Sequence, residues 1–268
     1  VVMQFQDQLQ RTVELSEVPS RIISLVPSQT ELLVDLGLKQ QLVGITKFCV
    51  HPVELRKQIQ LVGGTKEVKL KKIRKLQPDL ILCNKEENTP EMVEALEKIA
   101  PVHVSDIQDI EESLTLIQQY GEIFSVEEKA EKITANIQTE WRNFKQFIND
   151  QPKRKVAYFI WRKPWMVAGS DTFIDYLLQL NNFENIFAET PRYPEVDLHR
   201  LKEADWVLLS SEPFPFKKKH QLELAEFVNP DKIKFVDGEF FSWYGSRLEK
   251  AFRYFKKWHL AELPLQNG

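Results

Sequence analysis

The sequence predicts an α/β protein: two Rossmann-like lobes with mainly parallel sheets, joined by one long backbone helix. Three observations carry this. Short β-branched runs alternate with helical patterns through most of the chain, the order that builds a doubly wound parallel sheet. A stripe of Val126, Ala130, Ile133, Ile137, Trp141, Phe144 and Ile148, at steps of three and four, marks one helix over Ser125–Asn149. A segment around Ile73–Leu82 is echoed around Leu198–Leu209, each a short helix turning at an aspartate, Asp79 or Asp205, into an apolar strand. The expected divisions are 1–124 for the first lobe, 125–150 for the helix and 151–268 for the second lobe.

Taken in order, residues 1–20 are polar and read as an arm with an edge hairpin. Arg21–Leu25 is a strand ending at Pro27-Ser28, where Ser28 with Glu31 has the pattern of a capping box. The helix through Leu32, Leu33 and Leu36 closes at Gly37, a residue suited to a left-handed cap. Leu42–Ile45 reads as a strand, His51–Lys57 and Leu70–Leu76 as short helices, and Leu80–Cys83 as a buried strand. A helix opens at Thr89-Pro90, with proline in a favoured first position. Val102–Val104 is a strand and Ile110–Phe124 a helix. Ser125 with Glu128 reads as the capping box of the long helix, which Pro152 brings to a stop. Val156–Ile160 and Thr172–Leu180 then repeat the strand and helix of the opening. Ile233–Val236 is a late strand, and Leu248, Ala251, Phe252 and Phe255 mark the last helix.

The 268 residues suffice for one large or two modest domains, and 43% hydrophobic with 28% charged is an ordinary globular composition. A net charge of −3 gives no electrostatic footprint for nucleic acid or an anionic membrane. No apolar run approaches a membrane span. The opening residues lack a basic and an apolar signal region. The expectation is therefore a periplasmic protein whose signal has been removed, or a cytoplasmic one that starts at Met3. Two cysteines do not make a disulfide framework.

In parallel sheets, ligands bind beyond the carboxyl ends of the strands. The loops expected there are rich in aromatic and charged residues. Trp161, Arg162 and Trp165 follow one strand, Phe214 and Phe216 a second, and Glu239, Phe241, Trp243 and Arg247 a third. Aromatic rings give broad contact area with a polar tip, and arginine binds carboxylates or amide oxygens. The alternative is that these rings pin loops onto the sheet. Cys49, His51 and Cys83 have metal-binding chemistry, but their spacing matches no zinc-site pattern; His51 reaching a metal inside a bound chelate is the stronger version. Gly63-Gly64-Thr65-Lys66 lacks the phosphate-loop spacing, and Lys217–Lys219 reads as a solvated face. An enzyme would have to draw on Cys49, His51, Asp237 and Glu239, for which no reaction is evident.

Arg21-Ile22-Ile23-Ser24-Leu25-Val26-Pro27-Ser28-Gln29-Thr30-Glu31 and Leu76-Gln77-Pro78-Asp79-Leu80-Ile81 resemble two motifs of the helical-backbone (class III) periplasmic binding proteins. The likeness covers about Arg21 to Trp258 and is nearest to the cobalamin-binding branch, through Val43-Gly44-Ile45, Asn185-Ile186-Phe187 and Arg192–Val196. It implies a non-enzymatic monomer that captures a metal chelate between two lobes for an ABC importer, without a cofactor or metal of its own. A cobalamin-like corrinoid is the first expectation and a ferric siderophore or haem the alternative. A cytoplasmic carrier or sensor of the same ligands is a further one. The resemblance matches Phe48 and Tyr193 to pocket aromatics and Glu239 to an acid of the second-lobe rim. Trp243 stands where the branch has arginine and Thr65 where it has tryptophan. The expected ligand-binding residues are Phe48, His51, Trp161, Arg162, Trp165, Tyr193, Glu239, Phe241, Trp243 and Arg247. Lys71 and His199 occupy the places of the glutamates that dock the importer; a shifted alignment would supply Glu67, Glu195 or Glu203 instead.

Overall fold

The computed structural model describes residues 2–262; the outermost ends of the two expected lobes, residue 1 and residues 263–268, lie outside the described residues. By contacts the chain divides into two compact units. The first comprises residues up to Gln138 together with Tyr244–Arg247, and the second comprises Thr139–Trp243 and the chain from Leu248 onward.

The first unit opens with the expected hairpin, β1 (Met3–Gln6) antiparallel to β2 (Thr12–Leu15). There follow β3 (Ile22–Ser24), α1 (Pro27–Asp35), β4 (Leu42–Ile45), α2 (Leu55–Gln58), β5 (Gln60–Leu61), α3 (Leu70–Leu76), β6 (Leu80–Asn84), α4 (Pro90–Glu97), β7 (Val102–Ser105) and α5 (Ile110–Ile123). Its sheet has the order β5-β4-β3-β6-β7, and every pairing is parallel. Parallel strands are buried on both faces and so read as continuous apolar runs. Leu80–Asn84 is accordingly buried at every position.

The long helix α6 spans Glu127–Asn149, 23 residues, or about 35 Å at 1.5 Å per residue. Of its predicted stripe, Ala130, Ile137, Phe144 and Ile148 are buried. The second unit continues with β8 (Arg154–Trp161), β9 (Met166–Val167), α7 (Phe173–Leu180), β10 (Phe183–Asn185), β11 (Trp206–Ser210), α8 (Lys218–Leu224), β12 (Ile233–Val236), α9 (Gly238–Ser242) and α10 (Arg247–Glu262). Its sheet runs β10-β8-β11-β12 in parallel, with β9 antiparallel against β8.

The two expected capping boxes are corrected. Ser125 has φ 54° and closes α5, its N–H donating to Glu122 O (3.3 Å) while Val126 N–H reaches Gly121 O (2.8 Å). That is a left-handed helix ending, and α6 starts only after Val126. Ser28 and Glu31 lie inside α1, because Pro27 already occupies its first turn; Val26 takes the capping position without a side-chain bond. The helix expected at His51–Lys57 begins at Leu55.

The sequence echo has a structural cause. Asp79 N–H donates to Arg21 O (2.9 Å), and its carboxylate accepts from Ser20 N (2.8 Å) and Arg21 N (2.9 Å). Asp205 N–H donates to Lys155 O (2.8 Å), and its carboxylate accepts from Lys155 N (2.7 Å). In each unit an aspartate at the foot of one central strand thus locks the register of its neighbour, β6 on β3 and β11 on β8. Hydrogen bonds to an ionised acceptor contribute about 1.5–3 kcal/mol. Asp79→Ala and Asp205→Ala should each lower unfolding free energy by about 1–3 kcal/mol in urea titrations, with the aspartate-to-asparagine changes milder.

Candidate ligand-binding surface

Because the strands within each sheet's main path are parallel, their carboxyl ends gather on one edge of each unit, where strands run out into irregular loops. In the first unit the loop after β4 carries Phe48, Cys49 and His51, and the loop after β5 carries Gly63–Lys69. Phe48 is 49% exposed, with the Lys47 ammonium 5.1 Å from its ring centroid. Gly63, at φ 130°, allows the second loop to fold tightly, since a Cβ there would lie 2.5 Å from Glu67 O. The two loops and α3 enclose a hollow of about 710 Å³, whose lining includes Phe48, Lys47 and Lys66.

Behind this edge lies a buried polar network. Gln29 donates to Ser105 Oγ (2.5 Å) and Tyr244 OH (3.1 Å) and accepts from Tyr120 OH, while Asn84 donates to Ser105 Oγ (2.9 Å). Burial pushes the Tyr120 and Tyr244 phenols well above their ordinary values, so both stay protonated. Arg247 is held here too. Its guanidinium forks onto Glu31, Nε to Oε1 at 3.0 Å and a terminal nitrogen to Oε2 at 2.6 Å, with both side chains about nine-tenths buried. The expected ligand arginine is thus committed to the interior of the first unit. Arg247→Met should destabilise the protein by about 3–5 kcal/mol, read by thermal or urea unfolding, because it strands a buried carboxylate.

In the second unit Trp161 ends β8, 41% exposed, and stands edge-on to Phe214 (centroids 5.6 Å). Trp165 stacks on Phe216 at 6.0 Å and 11°. Arg162 pairs with Glu223 at 2.6 Å and lies 5.7 Å from the Trp165 ring. His220, buried between Phe214 and Phe216, accepts from Lys217 N (2.8 Å) through Nδ1; desolvation lowers its pKa. These contacts make one aromatic platform with Trp161 at its exposed rim. Tyr193 is half-buried beneath Arg192, whose guanidinium carbon is 5.4 Å from the ring. Phe241 lies in the core, 1% exposed, against Tyr158 and Phe255.

Glu239 and Trp243 meet at a residue the sequence did not single out. Trp243 Nε1 donates to Glu212 Oε1 (2.7 Å), and Ser242 Oγ donates to the same oxygen (3.2 Å). Gly238 lets Glu212 pack closely on α9, since a Cβ would come within 2.8 Å of its Cγ and 2.9 Å of its backbone carbonyl. Burial, reinforced by the charge of Glu239, raises the Glu212 pKa from 4.5 to about 7. A carboxyl whose folded pKa is raised stabilises the fold fully below its unfolded value and loses that contribution as pH rises to about 7. Glu212→Gln should therefore flatten stability between about pH 4.5 and 7 and raise it by about 2 kcal/mol at pH 8, checked by unfolding at both ends of the range.

The cysteines do not assemble a metal centre. Cys49 is buried against the hydroxyls of Thr30 (3.2 Å) and Thr46 (3.3 Å), and Cys83 is buried in β6; burial raises both thiols, Cys83 to about 12. Among the described residues no group of three or more His, Cys, Asp or Glu is placed to hold a metal.

A profile of the periplasmic binding protein family matches residues 22–229. The chain belongs to this family. Among its relatives is an ABC transporter substrate-binding lipoprotein, YvrC, of Bacillus subtilis, 25% identical over 241 residues that cover 87% of this chain and 68% of that one. A vitamin B12-binding protein of Vibrio campbellii is 27% identical over 183 residues, 68% of this chain and 66% of that one. The chain thus spans about two thirds of the length of these relatives. A periplasmic haem-binding protein of Pseudomonas aeruginosa has the same fold, with a TM-score of 0.78 at 20% identity, covering 89% of this chain and 91% of its own.

Proposed function

We propose that this member of the family captures a metal chelate, a cobalamin-like corrinoid first of all, on the loops at the carboxyl ends of its strands. The observation that carries this is Trp161: a large ring left 41% exposed at the end of a central strand, yet braced on Phe214. A braced, exposed aromatic presents stacking area at little conformational cost. Phe48 offers the same from the first unit, with His51 on its own loop. Trp165, Tyr193, Arg162, Glu239 and Trp243 shape the surroundings by their ring stacking and hydrogen bonds. The relative named for vitamin B12 favours the corrinoid, and haem is the second reading, on the flat-ring chemistry that both ligands share. The metal arrives inside the ligand, so the protein needs no cofactor and catalyses no reaction.

The chain acts as a monomer outside the cytoplasm and delivers its ligand to an ABC importer, in keeping with the substrate-binding lipoprotein among its relatives. Lys71 and His199 are both exposed, so an importer that expects acidic residues there would meet a different charge pattern. Glu67, Glu195 and Glu203 are exposed nearby in sequence and provide the carboxylates for such docking.

Titration of the protein with cyanocobalamin, hemin and a ferric siderophore, followed by absorbance and calorimetry, tests this reading. At least one chelate should bind at micromolar or tighter, and Trp161→Ala should weaken it by about 1–3 kcal/mol, the range of an aromatic hot spot. Failure of all three to bind, or an unaltered affinity in Trp161→Ala, would remove the basis for the site.

A further inference from the structure

The hollow between the loops after β4 and β5 and helix α3 is basic on an apolar floor. Lys47, Lys66, Lys69 and Lys72 line it against one carboxylate, Glu67, with Phe48 and Leu61 as apolar walls. Among the described residues two of the ammonium groups are hydrogen-bonded to backbone carbonyls, Lys66 to Glu86 O (2.6 Å) and Lys72 to Leu61 O (3.4 Å). Such bonds leave the positive charge uncompensated. Like charges gathered around one concavity repel each other, and the repulsion is relieved when an anion enters. The low-dielectric wall formed by Phe48 and Leu61 strengthens the attraction at close range.

We infer that this pocket seats the anionic edge of the chelate, a carboxylate or phosphate group, while the flat apolar body of the ligand lies against Phe48. The inference rests on the chelate-binding reading and adds to it a selection rule: ligands are chosen by peripheral negative charge as well as by ring shape. Lysine ammonium groups on flexible stems act as point charges, so the pocket accepts carboxylate and phosphate alike. The carboxylates of haem and the phosphodiester of a complete cobalamin are the two sources of that chemistry. Recognition of this kind weakens with added salt as exposed charges are screened.

The test compares the parent with the Lys47→Gln/Lys69→Gln/Lys72→Gln variant, in which two exposed side chains and one half-buried one change to a neutral polar group of similar reach, with retention of the fold checked by circular dichroism. Four probes are titrated calorimetrically at low and at physiological salt: hemin, cyanocobalamin, dicyanocobinamide (which lacks the phosphate) and pyrophosphate. The expected result is a tenfold or greater loss of affinity for hemin, cyanocobalamin or both. Whichever falls identifies the anionic group, while dicyanocobinamide stays within twofold and pyrophosphate binding disappears. Chelates that bind parent and variant equally, with pyrophosphate also unchanged, would overturn the pocket and leave the chelate reading intact. Loss of pyrophosphate binding in a protein that takes no chelate would uphold the pocket and overturn the chelate reading. A parent that binds none of the four overturns both.

Discussion

The constraint on which the rest depends is the parallel pairing of the strands. Parallel neighbours cannot be joined by a tight turn, so each crossing carries a helix or long loop over the sheet, and every irregular exit collects at the same edge. Phe48, the lysines of the β5 loop, Trp161 and the Glu212–Phe214 turn are far apart in sequence, yet each stands at or just beyond a strand's carboxyl end. The register aspartates Asp79 and Asp205 hold this arrangement from the opposite end of each sheet. They fix β6 against β3 and β11 against β8 by pairing a carboxylate with the first free amide of the neighbouring strand.

Behind the two edges the structure satisfies its buried polar groups differently. The first unit uses neutral donors and acceptors, Gln29, Ser105, Asn84, Tyr120 and Tyr244, plus the forked Arg247–Glu31 pair. The second uses Glu212 as a half-buried acceptor for Trp243 and Ser242, with Glu239 close enough to raise its pKa. A satisfied network rigidifies the backbone from which the loops spring, whereas an unpaired buried charge would loosen it. A solute-binding surface needs that rigidity because loop disorder subtracts from affinity.

Much of this was legible in the sequence, for physical reasons that differ by element. The strands with β-branched runs, the stripe of α6 and the Thr89-Pro90 helix start are local signals, and they lie where the pattern places them. The Asp79 and Asp205 echo was visible because the same hydrogen-bonding device serves both units. Ser125 misled because a serine between two helices can cap the second or close the first, and only its left-handed backbone separates the two. β9 and β5, two residues each, are too short for any period to show. Arg247 looked like a ligand residue by its place after an aromatic loop, but its partner Glu31 is 216 positions away and only the fold brings them together. Phe241 likewise follows a charged and polar stretch in sequence, yet it faces the core in space. Glu212 gave no sign because its raised pKa arises from burial and the charge of Glu239, which only the fold brings to it. The lysine pocket was equally silent, since Lys47, the pair Lys66 and Lys69, and Lys72 come from two separate loops and from α3.

The central claim is that one edge of each sheet carries the ligand surface. Hydrogen–deuterium exchange with and without the tightest-binding chelate measures it most directly. Protection is expected to be confined to residues 46–54, 62–69, 161–166, 211–217 and 237–243, with the strand feet at Asp79 and Asp205 unchanged. Protection concentrated at those feet, or on the outer helices with these five segments unaltered, would contradict it.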